Sequence, residues 1–171
     1  MCELLEPFGV QTIVDVRTHP RSNFAPEFNR VVLEKDLPRL GLRYVFLGHY
    51  LGGRPSRTDH YDQDGRALYY RMASAPEFQR GIELVEANIE ATTMALMCSE
   101  GKPDDCHRHL LIGRVLKDRG IAVQHVLPDG SLSDLGFPYE TPTLFEHAED
   151  EQWKSVRSVS RKGPLKISSG P

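Results

Sequence analysis

The residues best equipped for chemistry lie in the stretch MCSEGKPDDCHRHLL, between Cys98 and Arg108. Cys98 ends an apolar run, seven residues separate it from Cys106, and His107 and Arg108 follow at once. A cysteine acts as a nucleophile or metal ligand through its thiolate, so its reactivity depends on what lowers its pKa. Cys106 is expected to open a helix, where unpaired backbone N–H groups and the positive dipole end favour negative charge. Arg108 and a protonated His107 would add to that effect. Cys98, Cys106 and His107 are therefore the candidate catalytic residues, with Cys106 expected to titrate below an ordinary thiol and to alkylate first. Asp104 and Asp105 oppose this, although an aspartate acting as an N-cap turns its charge toward backbone N–H groups. Other readings of the same residues stay open. Free cysteine is among the most buried residue types, so Cys98 also reads as core. Cys-His-Arg at a helix start also reads as capping and dipole chemistry. Cys98, Cys106 and His107 are competent zinc ligands, but no C-x-x-C pair or fourth ligand stands at a diagnostic spacing, and no metal is assigned. His109 reads as a surface residue.

A second group lies in VDVRTHPRS. Asp15 at a strand end is costly to bury unless paired, so it is expected to accept hydrogen bonds from Arg17 or nearby backbone and to orient a pocket. Arg21 and Arg54, on loops, carry the planar donor fork that suits phosphate or carboxylate. Asp15, Arg17, Arg21, Arg54, Glu100 and Arg108 form the candidate ligand-binding set. Gly52-Gly53 would let backbone approach a ligand, or simply turn the chain.

These side chains need a scaffold, and the sequence patterning supplies one. VQTIVDV, LRYVFLG, TTMALMC and IAVQHVL read as buried strands, with strand cores at 12–16, 43–47, 94–98 and 123–127. VVLEKDLPRLG reads as a short helix limited by Pro38 and Gly41. Residues 75–91 read as a longer helix, with Pro76 near its start and Phe78, Ile82, Val85 and Ile89 on one stripe. CHRHLLIGRVLKDRG is a third helix, stopped by Gly120, and YLGGRPSRTDHYDQDG is a long surface connection. Alternating strands and helices predict an α/β fold of three layers, a mostly parallel sheet with helices on both faces. Successive loops then reach the sheet's carboxyl edge, where Asp15, Arg17, Cys98, Cys106, His107 and Arg108 should surround one crevice.

Bulk properties narrow the classes. The chain has 171 residues, 39% hydrophobic and 26% charged, with net charge −3. One domain is expected at 1–132, with 133–171 a basic, serine-rich extension that is loosely packed or disordered. Three cysteines give no disulfide framework, no apolar run spans a membrane and no leader opens the chain, so reduced thiols and a cytoplasmic location are expected.

The blocks VDVRTHPRS, GLRYVFLGHYLGGR, YRMASAPEFQRGI and LMCSEGKPDDCHRHLLIGRVLKDRGIAVQHV with LPDGSL resemble the bacterial family known as domain of unknown function 488, over about residues 3–132. The resemblance implies an α/β fold and a site uniting the aspartate-valine-arginine and cysteine-histidine-arginine loops, and it implies no reaction. Members of that family ordinarily begin with a further strand. That strand and its turn precede the helix that is here reduced to CELLEPFG, and they are expected to be missing, which leaves an exposed sheet margin or a weakened pocket wall as an expectation. A fainter resemblance to rhodanese-like domains rests on Asp-x-Arg and a strand-cysteine-loop-helix. The longer, acidic loop with a second cysteine departs from that pattern, so sulfur transfer is not carried over.

The leading expectation is a pocket for an anionic or nucleotide-like small ligand beside a reactive thiol, as in a thiol-dependent transferase or hydrolase, with no cofactor. The alternatives are a nucleic-acid-binding module using loop arginines and the basic tail at Arg157, Arg161, Lys162 and Lys166, with steep salt dependence, and a metal-binding or structural protein. Oligomeric state is not legible in the sequence.

Overall fold

The computed structural model describes residues 1–134 and 153–160. At its centre is β1 (Thr12–Asp15), four residues that are all buried. It pairs in parallel with β2 (Arg43–Phe46) on one side and β3 (Met94–Met97) on the other. The order β2-β1-β3 and the register Asp15↔Phe46 and Asp15↔Met97 bring all three strand ends to one edge. This is the α/β architecture expected, and it follows from period-two side-chain alternation. Ile13, with Tyr44, Ala95 and Met97, faces a core containing Leu5 of α1 (Cys2–Leu5) and Leu33 of α2 (Arg30–Asp36). Val14 and Val16, with Val45, Leu96 and Cys98, face a larger core on the opposite side.

That larger core is built by α3 (Gly48–Leu51), α4 (Tyr69–Ala73), α5 (Pro76–Ile89) and α6 (Arg114–Asp118). Pro76 starts α5 where its missing N–H costs nothing, and Phe78, Ile82 and Val85 are buried on the predicted stripe. Before α6 the chain makes a wider π-helical segment, Arg108–Gly113. Gly120, at φ 81°, closes α6 with bonds from Gly120 N to Lys117 O and from Ile121 N to Leu116 O. Such a paired cap requires a residue that tolerates the left-handed region.

Two expectations about elements are corrected. The run at 123–127 does not join the parallel sheet. Its core, β4 (His125–Val126), pairs antiparallel with β5 (Leu132–Ser133), because the turn at Asp129 and Gly130 folds it back on its neighbour. The stretch after β2 is not an open surface connection either. It begins with α3 and contains the buried residues Leu51, Gly52 and His60. Among the described residues β3 has no further partner strand, and its residues are half-buried. No helix among them is long and apolar enough to cross a membrane.

Of the extension beyond residue 132, residues 153–160 are docked rather than loose. Trp153 is 4% exposed and donates Nε1–H to Leu110 O at 2.7 Å, with the Arg114 guanidinium 4.2 Å from its ring centre. Ser155 exchanges backbone and hydroxyl bonds with Ala67, and Lys154 pairs with Asp62. An aromatic of this size brings enough apolar surface to hold an otherwise polar segment. Residues 135–152 and 161–171, including Arg161, Lys162 and Lys166, lie outside the described residues. Trp153 is the only tryptophan, so native fluorescence should be blue-shifted and move to the red in a single step with global unfolding. Trp153→Ala should lower the unfolding free energy by about 3–5 kcal/mol. Water-like emission from the native protein would mean the segment is not docked.

Candidate functional site

The edge where the three strands end is occupied first by an ion pair. Asp15 has no exposure and accepts bonds from Arg17 Nε (2.8 Å), Arg17 Nη2 (2.6 Å), the Arg17 backbone N–H (3.0 Å) and the Tyr44 hydroxyl (2.6 Å). Arg17 Nη2 also donates to Phe28 O at 2.8 Å. Burial and the adjoining carboxylate both push the Tyr44 hydroxyl well above its ordinary value, so it stays protonated and remains a donor. Asp15 is thus saturated, and its part is to fix Arg17.

Behind this pair stands the His107 ring, 8% exposed, with Nε2 3.0 Å from Val16 O. A carbonyl can only accept, so Nε2 carries the proton and Nδ1 presents a lone pair, 3.9 Å from the Cys106 sulfur. Burial lowers the His107 pKa, which keeps the ring neutral. Gly53 lies flat against it. A Cβ there would fall 2.7 Å from His107 Cγ, and one at Gly52 would fall 2.4 Å from Thr18 Oγ1. The two glycines therefore serve close packing within the chain, and the approach expected toward a ligand is toward His107 and Thr18.

The two thiols are in direct contact. Cys98, released from the end of β3, places its sulfur 2.8 Å from that of Cys106, and both touch Glu100, Cys98 at the backbone oxygen (3.3 Å) and Cys106 at Oε2 (3.5 Å). Cys106 has extended φ and ψ, its carbonyl accepts the N–H of Leu110, and its sulfur accepts the N–H of Arg108 at 3.3 Å. It occupies the position of an N-cap, and no aspartate side chain caps this helix start.

The expected order of thiol acidity is reversed. Cys106 is fully buried, and the hydrogen bond with Cys98, burial and the charge on Cys98 all push its thiol up, against a single backbone N–H. Cys98 is lowered by the Cys106 thiol and by the charge of Arg108, which outweigh its partial burial. Two sulfurs this close share one proton economically, and the partly exposed one ionises first.

The cleft beside these groups has a volume of about 360 Å³. Arg17, Arg21, Arg54 and Arg157 reach it from three separate stretches of chain, with His19, His107, Glu100 and Asp105 also on its walls. Asp15 lies beneath Arg17 rather than in the cleft. Cys98 and Cys106 are not themselves on its walls, although their neighbours Ser99, Glu100, Asp105 and His107 are, and Arg108 does not line it, being half-buried with Nε bare of any partner. The sequence missed Arg157 as a cleft residue, since its distant segment is held there by Trp153, Lys154 and Ser155 through partners far away in the sequence. It also missed His109, which is 1% exposed and meets His125 Nε2 at 2.9 Å through Nδ1. Burial first, then the neighbouring ring, lowers His125 to about 4, so the His125 ring stays neutral near pH 7.

Cys98, Glu100 and Cys106 bring three ligand atoms within 4.8 Å of one another and could hold a metal ion. Tetrahedral zinc with Zn–S near 2.3 Å needs sulfurs roughly 3.8 Å apart. At 2.8 Å the pair would have to open by about 1 Å before such an ion fitted.

Asp15→Ala would leave the Arg17 guanidinium buried without its carboxylate, and should cost about 3–5 kcal/mol in denaturant unfolding. A loss below about 1 kcal/mol would mean that water reaches this pair. For the thiols, peptide-resolved iodoacetamide labelling of native protein should modify Cys98 well before Cys106, with the Cys98 profile rising below the ordinary thiol pKa of about 8.5. Equal labelling of both at neutral pH would contradict the buried, proton-retaining Cys106.

No curated protein and no solved structure matches the chain, and the likeness to rhodanese-like domains gains no support there. A family model described as "Domain of unknown function DUF488" matches residues 1–115, from α1 into α6, and so takes in Asp15, Arg17, both thiols of the pair and His107 while stopping short of β4. The chain belongs to the DUF488 family.

Proposed function

We propose that the cleft binds a small anionic ligand and presents Cys98 to it as a thiolate nucleophile. The observation that carries this reading is the convergence of four arginines from three separate stretches of chain on one cleft next to a thiol pair. A guanidinium stays charged at any physiological pH and its planar fork matches phosphate and carboxylate oxygens. The two cleft carboxylates, Glu100 and Asp105, offset only part of that charge. The protein's net charge of −3 makes the local excess of cations a property of the cleft rather than of the whole chain. Arg17 is held rigidly by Asp15, so one donor needs no ordering when a ligand arrives. Arg21, Arg54 and Arg157 are exposed and would close on the ligand.

Arg157 is here a cleft residue and not part of a free basic tail, which favours a small ligand over a long polyanion. The chemistry would begin at Cys98 because it is the more acidic and more accessible thiol. Isothermal titration with pyrophosphate, a small multivalent anion, should give saturable binding, and Arg54→Ala should weaken it about tenfold, or about 1.4 kcal/mol. Arg43→Ala, at the opposite ends of the strands, should leave it unchanged. Equal affinity in the wild type and Arg54→Ala would exclude this cleft as the anion site.

A further inference from the structure

A reactive thiol does not need a second thiol in contact with it, so the Cys98–Cys106 pair asks for its own explanation. Non-bonded sulfur atoms rest well beyond 3 Å apart, yet these approach to 2.8 Å while a full turn of chain, SEGKPDD, intervenes. The approach is imposed from both sides. Cys98 is fixed by β3, and Cys106 by the 3₁₀ turn Pro103–Asp105 that precedes it and the helix start that its own carbonyl opens. One sulfur is partly exposed and the other fully buried behind it. Arg108 N–H and Arg108's charge favour thiolate at this point, and Glu100 Oε2 lies 3.5 Å from the Cys106 sulfur as a proton acceptor that also lines the cleft. This is the arrangement of an attacking thiol and a resolving thiol.

We infer that Cys98 and Cys106 form a dithiol–disulfide couple that reduces a carboxylate-bearing low-molecular-weight disulfide, the anion being the one held by the arginine cleft. This inference rests on the anion-binding reading for its substrate class, and on the sulfur geometry for its chemistry. In the first step the Cys98 thiolate attacks one sulfur of the substrate RSSR. A Cys98–SR mixed disulfide forms, the substrate's sulfur–sulfur bond breaks, and the first RS⁻ leaves with the bonding electron pair. In the second, Cys106 gives up its proton by way of Glu100 to the water of the cleft, its sulfur attacks the Cys98 sulfur, and the bond from Cys98 to SR breaks. The intramolecular disulfide forms and the second RS⁻ leaves. Two electrons pass from the dithiol to the substrate, which is reduced to two thiols, and the protein is oxidised to one disulfide. The contact already made between the sulfurs turns the second step into an intramolecular reaction with the resolving atom in place.

The probe is dithiobis(nitrobenzoate), an aromatic disulfide with a carboxylate on each half, used on reduced full-length protein carrying Cys2→Ser so that only the pair reports. Two nitrothiobenzoate ions should be released per chain, the protein should retain no adduct, and the digest should show Cys98 linked to Cys106. Cys106→Ser, which keeps a side-chain oxygen at the N-cap position, should release one ion and retain one adduct on Cys98. Cys98→Ser should react slowly, its remaining thiol being buried. A wild-type pair that keeps an adduct on Cys98, or takes one on each sulfur, overturns the couple whatever the anion binds. For the substrate class, Arg54→Ala should slow the reaction with dithiobis(nitrobenzoate) roughly fivefold and that with neutral hydroxyethyl disulfide less than about twofold. Equal effects on both disulfides overturn the carboxylate preference, and pyrophosphate binding then tells whether the cleft reading has failed with it.

Discussion

The Asp15 carboxylate has no contact with water and sits at the end of the central strand, so every charge and donor around it must come from the protein itself. Four hydrogen bonds converge on it. Three come from Arg17, two residues on, and they oblige the chain to curl immediately after β1. That curl positions the neighbouring elements. It turns the Val16 carbonyl to His107, and it brings the Arg17 carbonyl so close to Gly48 that a Cβ there would lie 2.0 Å away. A buried ion pair need not stabilise a fold more than apolar residues of the same shape would. Its effect here is positional, since β1, α3 and the helix start after Cys106 all take their places around one carboxylate and its partner.

The same constraint explains how one edge holds two opposite electrostatic environments. The outer environment is the cleft, where arginines outnumber carboxylates and where, among the described residues, Arg17 alone of the four is spent on an acidic partner. The inner one is the thiol pair, close to neutral, with His107 stripped of its proton by burial and Cys106 holding its own. Glu100 belongs to both, lining the cleft while its carboxylate touches the Cys106 sulfur. A charge that develops at Cys98 is therefore felt by Arg108.

How much of this is legible in the sequence depends on the range of the interaction that decides it. The three parallel strands and the stripe on α5 follow from local periodicity, and the sheet's topology then carries Asp15 and Cys98 to one edge. The pairing of Asp15 with Arg17 is legible because a strand-end carboxylate needs a partner within reach. The acidity of the two thiols is not. Helix-start reasoning assigns Cys106 the lower pKa, but it cannot see that the residue is fully buried with a second sulfur against it. IAVQHVL has the composition of a strand in the parallel sheet, whereas a turn beginning three residues after His125 supplies a nearer partner for it. His109 and Trp153 lie beyond local reasoning for the same cause, each being buried by residues far along the chain.

The match to the family ends at residue 115, whereas the cleft does not. Ser155, Arg157 and Val159 form part of its wall, and they are held there by Trp153 against Leu110 and Arg114 and by Ser155 against Ala67. The groups nearest the sulfurs, Cys98, Glu100, Cys106 and His107, are all supplied from within the matched region. On the proposed function, chemistry and selectivity are thereby separable in this protein. What occurs at the sulfur is set by β3 and the helix start, while the charge and shape of the opening depend on a segment that reaches the site from more than forty residues further along the chain. A change at Arg157 should alter the charge of the opening without altering the sulfur pair, because among the described residues the hydrogen bonds of the two sulfurs run to Glu100, His107, Arg108 and each other, and not to that segment.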